Sequence, residues 1–162
     1  MAYEPERWHD LFVMLGGAAG ALAGLVFVGL SLHARLVSVD EYHRVRARNL
    51  TAGILYVLFV AVFVLIPDQG LHALGIELII GGIVVGVLFA ETPVRFWRQM
   101  AFELRVRTVI ATSACAVSSY AGASLIAHAG GGLYVLVAAG LVGLAMNVFG
   151  AWSLLLGLAR ES

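Results

Sequence analysis

The sequence predicts an all-α integral membrane protein: a helical bundle of five transmembrane helices forming a single domain over residues 1–162. Its N-terminus is expected outside and its C-terminus in the cytoplasm. Three observations carry this expectation. Hydrophobic residues make up 61% of the chain and charged residues only 12%, against roughly 45–50% and about 25% in soluble domains. Five apolar stretches are long enough to approach the roughly 20 residues that a bilayer core demands. The arginines, finally, gather in alternate connections between those stretches.

The spans read as residues 11–32, 50–66, 71–90, 106–129 and 133–158. "IPDQG" (66–70) and "AHAGGGLY" (127–134) separate neighbouring spans with turn residues and no arginine. The connection after the first span carries Arg35, Arg44, Arg46 and Arg48, and the one after the third carries Arg95, Arg98, Arg105 and Arg107. Cationic loops stay on the cytoplasmic side during insertion. That rule orients the chain and places Arg160 inside; all ten basic residues are arginine, a coding bias of GC-rich bacterial genomes, so a multi-pass protein of a bacterial cytoplasmic (inner) membrane is expected. The opening "MAYEPERWHD" is acidic where a signal peptide is basic, so the first helix is expected to be retained.

Both arginine-bearing connections read as amphipathic extensions of the spans that follow, over about 38–49 and 92–105. "SVDE" (38–41) has the form of a capping box with Ser38 as N-cap, and "TP" (92–93) places Thr92 at an N-cap with Pro93 at the first helical position. Asp40/Arg44 and Glu103/Arg107 then fall four apart, the spacing at which opposite charges meet on one helix face. Phe96, Trp97 and Phe102 are expected at headgroup level. Arg44, Arg46, Arg48, Arg95, Arg98, Arg105 and Arg107 form a basic membrane-surface set, contacting anionic lipid or a cytoplasmic partner.

The first span holds Gly16, Gly20 and Gly24 at intervals of four, with Gly17 and Ala21 beginning a parallel row. Small residues let helix backbones approach closely in lipid, where the hydrophobic effect does not bring helices together. This helix is therefore expected to be the most tightly packed in the protein, against its own bundle, a second copy or another membrane protein.

Polar residues within spans are few. Glu77 stands in "HALGIELIIGG", about two turns from the outer end of the third span, and no arginine lies at that depth. A carboxylate so placed is paired, protonated or functional. Ser119, Tyr120 and Ser124 on the fourth span reach a similar level and are its expected hydrogen-bond partners; an ion or proton site and snorkelling to the interface are the other readings. Asn147, mid-way along the fifth span, is expected to fasten two helices. Thr108, Thr112, Ser113, Ser118 and Ser119 give the fourth span a hydroxyl-bearing surface, although such side chains also satisfy themselves on the preceding turn.

No HExxH, CxxC, phosphate-cradling glycine loop or Ser/His/Asp grouping is present. His33, His43, His72 and His128 sit near span ends rather than at facing depths, and the adjacent His9 and Asp10 point apart on a helix. No enzymatic activity, cofactor or metal is expected. A net charge of zero lacks the basic footprint of nucleic-acid binding, and the single Cys115 forms no intrachain disulfide.

"RWHDLFVMLGGAAGALAGLVFVGLSLH" (7–33) and "GGGLYVLVAAGLVGLAMNVFGAWSLLLGL" (130–158) resemble the two ends of a family of small, multi-span bacterial membrane proteins frequent in actinobacteria. This chain has glycine at 16, 17 and 20 where that pattern has alanine. Some members are automatically labelled modulator of FtsH protease, which implies binding to a membrane-anchored AAA protease. Composition and resemblance together predict a non-enzymatic membrane subunit or modulator that assembles with another membrane protein through its glycine-rich first helix. The alternative is a homo-oligomeric ion or small-solute channel.

Overall fold

The computed structural model describes residues 2–96, 98 and 102–161, with side chains described at all of these except 92, 93, 96, 103, 104 and 158–161. Among the described residues the chain is helical, with no strand. A 3₁₀ turn, Pro5–Trp8, leads into α1 (His9–Leu32); α2 (Ala34–Val39), α3 (Glu41–Val64), α4 (Leu71–Phe96), α5 (Phe102–Ala127) and α6 (Gly132–Glu161) follow. All but the short α2 are long and apolar enough to cross a membrane. This is the architecture of a multi-pass membrane protein. In lipid a helix keeps every backbone hydrogen bond internal, so glycine-rich segments such as that of α1 are helical in spite of their low propensity in water.

α3 is the axis of the bundle, packing against α1, α2, α4 and α6. The core is built on Ile54, Val57 and Ala61 of α3, closed by Phe12 and Leu15 of α1, Leu78 of α4, Leu125 of α5 and Leu136 of α6. Within the chain itself the first helix is not the most tightly packed. Of the most apolar stretch of α1 only 22% is buried, against 44% in α3. Among the glycines inside the spans, the closest approach to a neighbouring helix's backbone is between α4 and α5. A Cβ placed on Gly75 would stand 2.7 Å from the Gly122 carbonyl oxygen, and one on Gly122 would stand 2.5 Å from that of Gly75.

The arginine-bearing connections also differ from their expected form. Residues 34–49 divide into two helices at Asp40, whose extended backbone (φ −96°, ψ 122°) ends α2 and begins α3. Asp40, not Ser38, is the N-cap: its carboxylate accepts from the Tyr42 N–H at 3.0 Å. Ser38, inside the last turn of α2, donates to the Arg35 carbonyl at 2.8 Å. The Asp40 carboxylate has one oxygen on that N–H and the other 2.7 Å from His43 Nδ1, while Arg44 donates back to the Ser38 carbonyl. No new helix begins at Thr92; α4 runs through Thr92 and Pro93 to Phe96. A proline forgoes one backbone bond, and here barely a turn of helix follows it. Trp97 and the side chains of Phe96, Glu103 and Arg160 lie outside the described residues, whereas Phe102 is exposed.

At the opposite end the N-terminal segment closes over the α5–α6 loop. The Leu133 N–H donates to the Ala2 carbonyl at 2.9 Å, the Gly131 N–H to the Tyr3 hydroxyl at 3.2 Å, and Trp8 meets Tyr134 edge to face. The loop needs its glycines: Gly130, Gly131 and Gly132 all have positive φ, a region that side chains with a Cβ rarely occupy.

Candidate functional site

Three places concentrate features that packing alone does not explain. The first is the outward face of α1. Gly16 faces inward, where a Cβ would stand 3.1 Å from that of Ala61. Gly17, Gly20 and Gly24 have nothing within 4 Å, and Ala21 is exposed beside them. Of the two rows read from the sequence, only Gly16 meets the bundle; Gly20 and Gly24 of its own row and both members of the Gly17/Ala21 row lie on the outside. On the helix surface Gly17, Gly20, Ala21 and Gly24 make a shallow notch. Exposed Val13 and Met14 bound it on one side, and Leu25, Phe27 and Val28 on the other.

The second is the polar set expected around Glu77, which does not assemble. Glu77 accepts a hydrogen bond from Gln69 Nε2 at 2.7 Å. The α4–α5 seam already saturates or diverts the hydroxyls proposed for it. Ser119 donates to the Cys115 carbonyl one turn back, at 3.2 Å. Ser124 donates to the Ala129 carbonyl and accepts from the Gly132 N–H at 2.9 Å, closing the α5–α6 turn. Tyr120 is exposed, its hydroxyl lying against the Gly130 backbone, where a Cβ would come within 2.5 Å of it. Gln69 escaped notice because "IPDQG" reads only as a turn. The polar bond inside the bundle belongs to residues the sequence did not single out as a pair: Tyr56 of α3 and Ser118 of α5, 2.7 Å apart.

The third is a cavity at the arginine-bearing end. Asn147 of α6 lies on Gly53 of α3, where a Cβ would stand 2.6 Å from its Oδ1. The asparagine thus stands where α3 and α6 touch. From Asn147 a narrow apolar space of about 40 Å³ runs inward past Phe89 and Ala111 to Tyr56 and Ser118. Outward from the same three residues lies a cavity of about 100 Å³ whose polar lining comprises Arg46, Asn49, Arg107, Thr108, Asn147 and Ser153. Among the described residues no carboxylate lines it.

Two guanidinium groups meet there. Arg46 donates to Ser153 Oγ at 3.2 Å and Arg107 to the same oxygen at 3.0 Å. Ser153 in turn donates a hydrogen bond to the Gly150 carbonyl at 3.1 Å. The two donor nitrogens are therefore no farther apart than the sum of their distances to that oxygen. Helix direction brings them together: Arg46 and Arg48 leave α3 on different sides, so Arg46 turns toward α6 while Arg48 pairs with Glu91 of α4.

The remaining arginines of the predicted surface set stay peripheral. Arg95 pairs with Glu91 at 3.3 Å and with Glu41 at 3.5 Å. Arg98 and Arg44 are exposed and Arg105 half-buried. Ser153 was missed because a serine between Trp152 and Leu154 looks like any other span residue. Among the described residues no group of three His, Cys, Asp or Glu side chains has the geometry of a metal site. In comparisons with known proteins the chain matches no family model, no curated protein and no solved structure.

Proposed function

We propose that this chain is a non-enzymatic membrane subunit or modulator that assembles with another membrane protein through the outward face of α1. The observation that carries the reading is the notch at Gly17, Gly20, Ala21 and Gly24. It is open over more than a turn, with no atom within 4 Å of a Cβ placed on any of its glycines. Small residues between bulky ones are what a second helix needs for close backbone approach in lipid. A membrane-anchored AAA protease is the partner class implied by the resemblance at residues 7–33 and 130–158.

The test is affinity purification of the full chain from its native membrane after mild solubilisation. A companion membrane protein in fixed stoichiometry is expected, lost from Gly20→Leu and Gly24→Leu variants that retain the parent's thermal stability. Recovery of the chain alone, or only as multiples of its own mass, would sink the reading; the second result would favour the homo-oligomeric alternative.

A further inference from the structure

We propose that the narrow space running from Asn147 to the Tyr56–Ser118 pair binds a short file of water molecules inside the bundle. Asn147 carries the argument. It is only 8% exposed and it lines the space. Among the described residues its amide has no hydrogen-bond partner, and Gly53, on which it lies, brings no side chain to it. A carboxamide has two N–H donors and an oxygen with two lone pairs. Buried groups of this kind are bonded either to protein or to ordered water. At the far end Tyr56 and Ser118 meet at 2.7 Å; that bond uses one hydroxyl proton and leaves lone pairs on both oxygens.

Size decides the ligand. The space measures about 40 Å³, roughly three times the 10–15 Å³ that admits one water and far below the roughly 150 Å³ of a cavity that takes benzene. Its length agrees. From Ala111, which with Asn147 borders both cavities, to Ser118 is two turns of α5, about 10 Å. Three waters make four hydrogen bonds of about 2.8 Å each, which span the same distance. The walls, among them Val57, Val60, Leu136 and Ala139, are apolar, and among the described residues no charged side chain lines the space. It suits a neutral ligand. Wholly apolar cavities stay dry; this one has hydrogen-bonding groups at both ends. The larger cavity at the arginine-bearing end shares Asn147, Phe89 and Ala111 with it and is the way in.

The test is radiolytic hydroxyl-radical labelling of the full chain in phosphatidylcholine nanodiscs, read by mass spectrometry. X-rays generate the radicals from water itself, so a side chain beside bound water is labelled in place. Two rings of α3 make the comparison, each rate being normalised to that of the free amino acid. Tyr56 borders the space, whereas Phe59 is exposed on the outside of the bundle, where lipid covers it. Tyr56 is expected to be labelled about tenfold faster than Phe59, which has no water beside it in the bilayer core. Asn147→Leu removes one anchor and fills that end of the space, and it is expected to bring Tyr56 down to the rate of Phe59.

The proposal is overturned if Tyr56 in the parent is labelled no faster than Phe59, as it would be beside a dry or lipid-filled space, or if Asn147→Leu leaves its labelling at the parent's rate. Should Asn147→Leu fail to fold, Gly143→Val narrows the space and leaves Asn147, Tyr56 and Ser118 in place. Gly143 lines the space, and a Cβ there makes ordinary contact with Val57, at 3.5 Å. The same fall in Tyr56 labelling is expected, and the parent's rate in that variant would overturn the proposal equally.

Discussion

The outward glycines of α1 and those of the α4–α5 seam are the same residue in the same kind of helix, put to opposite uses. In the seam, Gly75 and Gly122 let two backbones touch, with each carbonyl oxygen standing where the other's Cβ would be. Gly82, two turns along α4 from Gly75, makes room in the same way for Ser119 and the Cys115 carbonyl. In α1, Gly17, Gly20 and Gly24 touch nothing. The helix richest in small residues at regular spacing is thus the least buried of the spans, and the tightest contact uses fewer, more widely spaced glycines. A small residue on a membrane helix records permission for a close neighbour. Whether the neighbour comes from the same chain is decided by the rest of the fold.

The sharpest way to break this comparison is to place one leucine on each side of it. Gly122→Leu puts a side chain against the Gly75 carbonyl at 2.5 Å and against Leu78 Cβ at 3.0 Å. Backbone must move, and the expected cost is about 3 kcal/mol, the upper end for overpacking. It would be read as a large fall in Tm or loss of the folded monomer in detergent. Gly20→Leu, facing open space, is expected to change stability by less than about 0.5 kcal/mol. Equal losses from the two would mean that the α1 face is already covered within the chain. A step below comes Gly53→Val, which drives a side chain into Asn147 and into Phe89 at 2.9 Å. About 2 kcal/mol is expected, because Phe89 and Asn147 border cavities into which they can partly retreat. A Gly53→Val loss as large as that of Gly122→Leu would show that those cavities give no relief.

Much of the architecture was legible in the sequence, because length and composition alone set what can cross a bilayer. The five long apolar helices, the helical form of residues 41–49 and the clustering of arginines at one end were all readable. Which face of each helix turns inward was not. In α1 the inward Phe12, Leu15 and Val26 and the outward Val13, Met14, Leu25 and Phe27 share one chemistry, since lipid and protein interior are equally apolar. The polar pairings failed for a related reason. Glu77 was matched to hydroxyls by depth along the membrane, but depth leaves rotation about the helix axis undetermined, and its partner Gln69 lay in a stretch that carried only turn signals. The arginine pair was hidden the same way: Arg46 and Arg48 look equivalent in sequence, yet only one of them reaches Ser153.

The smallest expected effect asks what holds the packed side of the comparison together. Tyr56 lies across Gly81, its Cε2 2.9 Å from where a Cβ would stand. Its hydroxyl is 2.7 Å from Ser118 Oγ and 3.4 Å from the Leu78 carbonyl. It therefore ties α3 to both helices of the seam. Tyr56→Phe keeps the ring over Gly81 and removes only the hydroxyl. Hydrogen bonds between membrane helices average about 0.6 kcal/mol in double-mutant cycles, and Ser118 can turn its proton to the carbonyl of the preceding turn once its partner is gone. A loss of about 0.6 kcal/mol is expected from reversible unfolding in mixed micelles, a fraction of that from Gly122→Leu. If the two substitutions cost the same, the seam depends on its polar bond rather than on backbone proximity, and the open notch of α1, which has no such hydroxyl, would be a poor candidate for tight association.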